Sequence, residues 1–209
     1  MSHMNVITIS TTFGVRGAHI GASLAKTLGI PFVDRAIPRT ISRELDLPIE
    51  DVMAQDGKAT SGLWRILSAM AVIPDVTGTE AAAHHIGSEE AMLTQRTEEL
   101  MRQTASTTGG VFVGRAGVVV LRDVPGALHV RITGPKEART AAYAAANKLS
   151  LKEAHSVVET NDKARLAYGK TFYRVNLADS TLYHLVIDQT RFTEQATVNL
   201  LAGAVRELR

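Results

Sequence analysis

The chain has 209 residues, 45% of them hydrophobic and 21% charged, which is enough apolar surface for a buried core and excludes global disorder. Its net charge is only +2 and no dense block of lysine or arginine occurs, so charge indicates neither nucleic acid nor a membrane as a partner. The absence of cysteine excludes disulfides, thiolate nucleophiles and Cys-ligated metals, and a reducing, cytoplasmic compartment is the expected location.

The length favours a single domain, which we place at residues 4–209. Residues 1–3 are typical of a cloning remnant before a native start at Met4. No apolar run reaches the roughly 18 residues of a transmembrane helix, and the N-terminus lacks the regions of a signal peptide. We therefore expect neither export nor a membrane anchor.

The first elements are a strand, a glycine-rich turn and a helix. The run from Asn5 to Ser10 is β-branched and apolar, as in a buried parallel strand, and it leads into the turn Thr11–Gly17. Apolar residues then recur at helical spacing as far as Gly29. A short second strand is predicted at Pro31–Asp34, and a helix from Arg35 to Leu45.

The rest of the chain alternates between helical and strand patterns. The block from Pro48 to Thr108 is helical, with breaks near residues 56–57, 73–74, 77–78 and 86–87. The elements that follow are, in chain order, a strand at Gly110–Gly114, a helix at Val118–Asp123, a strand at Ala127–Ile132, a helix at Lys136–Tyr168, a strand at Tyr183–Asp188 and a helix at Thr193–Leu208. This alternation predicts an α/β fold in which helices cover both faces of a parallel sheet.

Ligands of such sheets bind beyond the carboxyl ends of the strands. Candidate site residues therefore follow the predicted strands, at Thr11–Gly17, Asp34–Arg35, Gly114–Arg115, Thr133 and Asp188.

The turn after the first strand is a candidate phosphate-binding loop. Gly14, Gly17 and Gly21 open a helix, so backbone N–H groups and the helix dipole are available to phosphate oxygens. The Walker A pattern GxxxxGK[ST] is not matched, because its lysine and its Ser/Thr are both missing. Arg16 is the cation in the loop that can replace the lysine charge. The alternative is an ordinary glycine-rich turn with a solvated arginine.

Several segments together resemble the cytidylate-kinase-like family. Ile7–Gly14 and Gly17–Gly21 resemble the start of that family, and five later segments are similar to it in the same order: Gly29–Asp34, Val113–Gly117, Val120–Asp123, Asp162–Arg165 and Leu185–Thr190. The resemblance implies a three-layer P-loop NTPase fold with about five parallel strands. It also implies a helical monophosphate-binding insert at residues 48–108 and a lid at 136–175. The implied reaction is transfer of the γ-phosphoryl group of ATP to CMP or dCMP, with Mg²⁺ as cofactor.

The resemblance assigns the phosphate loop to Gly14, Val15, Arg16, Gly17, Ala18 and His19. Members commonly carry Gly-Ser-Gly-Gly where this chain has Gly-Val-Arg-Gly. Val15 places a β-branched side chain where close backbone approach is wanted, and Arg16 either binds phosphate or blocks it.

The acceptor side is assigned in the same way. Arg115 matches the family's Gly-Arg, whose arginine holds the nucleoside monophosphate, and Asp34 and Arg39 are expected near the same ligand. The alternatives are an Arg115 tied to a helix carboxylate, and a solvated helix face for Arg35 and Arg39.

The lid-like stretch supplies candidate catalytic cations, because negative charge on the transferred phosphoryl must be stabilised. Lys163 and Arg165 match the family's Asp-Lys-Ala-Arg segment, and Asp162 is expected to orient Arg165. The other cations, Arg139, Lys170 and Arg174, are expected to be solvated surface residues. No carboxylate is assigned as a magnesium ligand.

Two further features carry no predicted site. His84 and His85 are adjacent on a predicted helix and face different directions, which argues against a zinc site. The apolar stretch from Leu63 to Ile73 is expected in the core or at a homodimer interface.

Three functional hypotheses remain open at this point. The first is a nucleoside monophosphate kinase, and the second a kinase for another small acceptor. The third is a regulatory nucleotide-binding protein that kept the fold and lost catalysis. The loop at residues 14–19 separates the first from the third.

Overall fold

A sheet of four parallel strands forms the centre of the protein. The structure, a computed structural model, describes residues 5–33 and 80–208. The strands are β1 (Val6–Thr11), β2 (Gly110–Val113), β3 (Ala127–Thr133) and β4 (Leu185–Asp188), in the spatial order β2-β1-β3-β4. Phe32, outside the four strands, forms one parallel bridge to Val111 of β2. The predicted strand at Pro31–Asp34 is represented by this bridge, so the described sheet has four strands where about five were predicted.

Six α-helices surround the described sheet: α1 (Gly17–Leu28), α2 (Glu80–Thr107), α3 (Gly117–Val120), α4 (Lys136–Asn147), α5 (Leu151–Tyr173) and α6 (Glu194–Arg206). The predicted break near residues 86–87 is wrong, because α2 continues through it. The predicted single helix Lys136–Tyr168 is two helices. Lys148 takes a left-handed conformation with φ 55°, and a capping box between Ser150 and Glu153 starts α5.

The two faces of the sheet belong to separate cores. Ile7, Ile9 and Val130 on one face pack with residues of α1 and α6, including Ile20 and Leu201. On the opposite face, Phe112 packs with Met101 of α2 and with Leu121. Helices on both faces of an all-parallel sheet confirm the predicted three-layer α/β architecture.

Some predictions concern residues that the structure does not describe. The candidate site residues Asp34 and Arg39, the helix at 35–45 and the apolar stretch at 63–73 lie outside the described ranges. Within those ranges, no helix combines the length and the apolar character needed to cross a membrane.

Candidate functional site

The loops that follow the four strands meet at one edge of the sheet, because parallel strands all end on the same side. The loop between β1 and α1 lies at the centre of this edge, since β1 is flanked by β2 and β3. The candidate phosphate loop is therefore placed beside the loops that carry Arg115 and the start of α4.

The backbone of the candidate phosphate loop presents a run of uncommitted donors. Among the described residues, none accepts a hydrogen bond from the N–H groups of residues 14–18. The next two N–H groups, of His19 and Ile20, both donate to the Arg16 carbonyl at 3.0 and 3.2 Å, which starts α1. Five consecutive N–H groups at the positive end of a helix form a suitable cradle for an anion.

Gly17 allows the start of α1 to approach the end of β1 closely. A Cβ atom at this position would lie 2.2 Å from Cγ2 of Thr11. Gly14, with φ 91°, supplies the backbone conformation that turns the chain out of β1.

Val15 does not obstruct the loop in the way that its sequence position suggested. Its side chain is 1% exposed and belongs to the core formed with α1 and α6. Burial of the isopropyl group in that core directs it away from the solvent in which a ligand arrives. Ala18 and His19, at the start of α1, are both exposed.

Arg16 has a left-handed backbone (φ 50°) and a mostly exposed side chain. Its Nη1 lies 2.7 Å from Oε1 of Glu194, in the first turn of α6. The loop's cation is therefore already paired with a carboxylate.

A buried ion pair between Arg139 and Asp162 holds the backbone of the loop at Phe13. Arg139 is only 5% exposed, which contradicts the expectation that it is solvated. It donates to the carbonyls of Gly134 and Phe13 and, at 2.9 Å, to Asp162 of α5. The second oxygen of Asp162 accepts the N–H of Phe13 at 2.8 Å.

Asp162 was expected to orient Arg165, but the hydrogen bonds of Asp162 go to other groups. Its two oxygens are used by Arg139 and by the backbone of Phe13.

Arg165 contacts the end of β1. Its Nη1 donates to the carbonyl and the hydroxyl of Thr11, at 2.8 and 3.0 Å, and the guanidinium lies 5.6 Å from the Phe13 ring centre. Burial lowers the pKa of Arg165, the Asp162 charge raises it, and the positive charges of Arg139 and Arg131 lower it further. Asp162 thus bonds to Arg139, and its charge also acts on Arg165.

Lys163 is not brought together with Arg165. Its side chain is 74% exposed and its Nζ lies 3.1 Å from Oε1 of Glu159 on the same helix. Residues two apart on a helix point in different directions, so the two members of the predicted pair separate.

Arg115 follows β2 in a strained turn. Gly114, Arg115 and Ala116 have φ values of 77, 53 and 50°, all in the left-handed region that L-residues rarely adopt. Arg115 is half-buried and lies within electrostatic range of Tyr168 on α5. Burial raises the pKa of Tyr168, and the Arg115 charge acts in the opposite direction.

Residues of α5 therefore lie near two of the loops at this edge. Asp162, Arg165 and Tyr168 follow one another at a spacing of three residues, which places them on the same side of the helix. The first two contact the loop after β1, and the third lies near the loop after β2. A shift of this helix would alter both loops together.

Sequence reasoning missed two residues of this edge. The structural role of Arg139 depends on Asp162, in the next helix, and no local pattern indicated that contact. Glu194 was overlooked although it begins the helix after β4, so the strand-end rule applied to the other candidates would have found it.

Comparison with known proteins places the chain in a family. The model of the cytidylate kinase-like family matches residues 6–191, nearly the whole chain. A cytidylate kinase of Methanothrix thermoacetophila is 26% identical over 113 residues, which are 54% of this chain and 63% of that protein. A uronate isomerase of Corynebacterium glutamicum is 29% identical over 121 residues, which are 58% of this chain and 23% of that protein. The chain thus spans less than two thirds of either curated relative.

Solved structures share the fold at low identity. An uncharacterized protein from Eubacterium ventriosum has a TM-score of 0.68 at 18% identity, with 97% of this chain and 98% of that chain covered. Shikimate kinase from Bacteroides thetaiotaomicron has a TM-score of 0.53 at 11% identity, with the same coverage of both chains. Likeness at this identity concerns the fold alone. Because the family model matches almost from end to end, the chain belongs to the cytidylate kinase-like family.

Proposed function

We propose that this protein transfers the γ-phosphoryl group of ATP to a nucleoside monophosphate, with CMP and dCMP as the first candidate acceptors. The observation that carries the proposal is the run of five uncommitted N–H groups at residues 14–18, next to Arg165, which contacts the adjoining end of β1. Family membership supports the same class of reaction.

On the donor side, the loop backbone would bind the ATP phosphates and Arg165 would stabilise charge on the transferred group. Among the described residues, only Nη1 of Arg165 bonds to the protein, so its Nη2 and Nε donors are available to phosphoryl oxygens. Phosphoryl transfer relies mainly on such positioning and charge stabilisation. Arg139 bonds through its Nε and Nη1 to Gly134, Phe13 and Asp162 and would act by fixing the loop.

On the acceptor side, Arg115 would hold the phosphate of the monophosphate, because a guanidinium binds phosphate in a bidentate manner. We propose that Asp34 and Arg39 complete this site. No side-chain base is required, because the acceptor phosphate is already an anionic nucleophile.

Magnesium would be held chiefly by the nucleotide. Asp162, Asp179 and Asp188 each accept hydrogen bonds from neighbouring groups in the described part of the protein. Mg²⁺ commonly keeps several waters and binds substrate phosphates with few protein ligands, which fits this set of residues.

The test is a coupled ADP-release assay with ATP, Mg²⁺ and a panel of nucleoside monophosphates. We expect turnover with a pyrimidine monophosphate, and loss of most of it in Arg165→Met. Lys163→Met is the matched control, because Lys163 lies on the same helix and contacts Glu159 instead of the loop. Other small acceptors are added to the panel, and turnover with one of these alone would keep the kinase chemistry and replace the substrate.

A regulatory nucleotide-binding protein is the second candidate. It is favoured by the exposed Ala18 and His19, which stand where a Walker A loop has its lysine and Ser/Thr. If the wild type binds ATP in calorimetry without turnover, the regulatory function replaces the kinase function as the proposal. Ala18→Lys would then be expected to tighten ATP binding, while Ala18→Gln, a neutral change, would not.

A further inference from the structure

The ion pair between Arg16 and Glu194 joins the candidate phosphate loop to the start of α6. We infer that Glu194 is a positioning residue that holds Arg16 and lowers the affinity of the loop for polyphosphate until a ligand displaces it. This inference rests on the proposed function, because it assumes that the loop binds the phosphates of a nucleotide.

The pair joins two helices whose relative position is fixed by the core. Arg16 precedes the first residue of α1 and Glu194 is the first residue of α6. The two helices share one hydrophobic cluster, in which Ile20 and Leu24 meet Val198 and Leu201. The carboxylate is therefore presented to Arg16 by a rigid element.

Local structure favours the carboxylate of Glu194 at its position and disfavours the cation of Arg16 at its own. Thr193 caps α6 by accepting the N–H of Ala196, and a carboxylate in the first turn of a helix is stabilised by the helix dipole. Arg16, in contrast, lies at the positive end of α1, where a cation is unfavourable. The Glu194 carboxylate compensates this cost in the ligand-free loop.

A bound polyphosphate would change that balance. Its oxygens would occupy the N–H groups of residues 14–18, on either side of Arg16, and would compete with Glu194 for the guanidinium. Arg16 is 62% exposed and Glu194 34% exposed, so the pair is accessible and weak enough to be displaced. Removal of one exposed partner is expected to change affinity by about two- to fivefold.

The experiment is a double-mutant cycle in which calorimetry measures the affinity for ATP and for inorganic tripolyphosphate. The proteins are the wild type, Glu194→Gln, Arg16→Gly and the double variant. Glycine is chosen at position 16 because the backbone there has φ 50°, which glycine adopts without strain. Glu99→Gln is the matched control, since Glu99 also pairs with an arginine at 2.7 Å and is also solvent-accessible.

We expect Glu194→Gln to tighten the binding of both ligands by about two- to fivefold, and Arg16→Gly to weaken it by a similar factor. In the Arg16→Gly background, Glu194→Gln should have no effect, because the carboxylate then has no cation to hold. Glu99→Gln should leave the affinity unchanged.

Two results would overturn the inference. If Glu194→Gln gives the same gain with and without Arg16, the carboxylate acts by general repulsion and does not hold the arginine. If it weakens binding, Glu194 assists the ligand. Absence of ATP and tripolyphosphate binding in the wild type would refute the proposed function itself, and this inference with it, whereas normal binding with an additive cycle refutes the inference alone.

Discussion

Arg139 and Asp162 form an ion pair that is nearly closed to solvent: their Nη1 and Oδ2 atoms are 2.9 Å apart, and the side chains are 5% and 19% exposed. The same two residues hold both backbone polar groups of Phe13, because Arg139 donates to the Phe13 carbonyl and Asp162 accepts the Phe13 N–H. This contact ties the phosphate loop to α4 and α5.

Removal of one partner should therefore be costly. Arg139→Met leaves the Asp162 carboxylate buried without its cation, and we expect a loss of about 3 kcal/mol in the free energy of unfolding. Urea denaturation measures this loss. Lys163→Met breaks the exposed pair with Glu159 and should leave the urea midpoint unchanged. Equal midpoints for the two variants would show that the buried pair contributes no more than the exposed one.

Gly17 should not tolerate a methyl group. In Gly17→Ala the added Cβ would meet Cγ2 of Thr11, so we expect a lower melting temperature together with weaker ATP binding. Thr11→Ser removes that methyl group and keeps the hydroxyl that contacts Arg165, so the double variant should recover part of both losses.

Gly203→Ala provides the control for a general effect of alanine. Gly203 lies in α6 with nothing within 4 Å of the added Cβ, and alanine has the higher helix propensity. The expected result is unchanged ATP binding and a gain of up to about 1 kcal/mol in stability. A loss in Gly203→Ala similar to that in Gly17→Ala would contradict the steric argument.

Substitution of Arg115 should affect the KM of the acceptor more than the KM of ATP. Arg115→Lys keeps the charge and loses the bidentate fork, so the KM of the monophosphate should rise about tenfold or more, with the KM of ATP changed less than about twofold. Steady-state kinetics with each substrate varied in turn give both constants. A parallel rise of the two KM values would indicate a general disturbance of the edge instead.

A buried histidine should make the fold sensitive to acid. His129 is 4% exposed and its Nδ1 lies 2.8 Å from the Thr8 hydroxyl, while its ring stacks on His184 with a centroid distance of 5.0 Å. Burial lowers the pKa of His129, and the nearby His184 lowers it further. The unfolded chain therefore binds a proton more readily than the native protein, and the free energy of unfolding should decrease as the pH falls below about 6.5.

Urea denaturation at pH 8, 7, 6 and 5 measures this dependence. His129→Gln removes the titrating ring, so its stability should fall less steeply between pH 7 and 5 than that of the wild type. His155→Gln, an exposed histidine of α5, should leave the slope as it is. A wild-type slope retained in His129→Gln would assign the acid sensitivity to other groups.

The sequence by itself determined the sheet and its site edge. Val6–Ser10 is β-branched and largely apolar, which favoured a buried parallel strand, and the glycines after it marked a tight turn into a helix. The strand-end rule then selected Thr11–Gly17 and Arg115 as candidate site residues.

Tertiary structure decided the burial and the contact partners of the charged side chains on that edge. Arg139, Lys163 and Arg165 are all cations of one helical stretch of the sequence. In the structure, Arg139 is buried against Asp162, Lys163 is exposed, and Arg165 contacts the end of β1. Arg16 likewise meets Glu194 from the other end of the chain. The physical reason is that hydrophobic periodicity encodes which way a helix or strand faces. The partner of a guanidinium depends instead on which elements the folded sheet brings within about 3 to 4 Å of it. No local sequence pattern encodes that proximity.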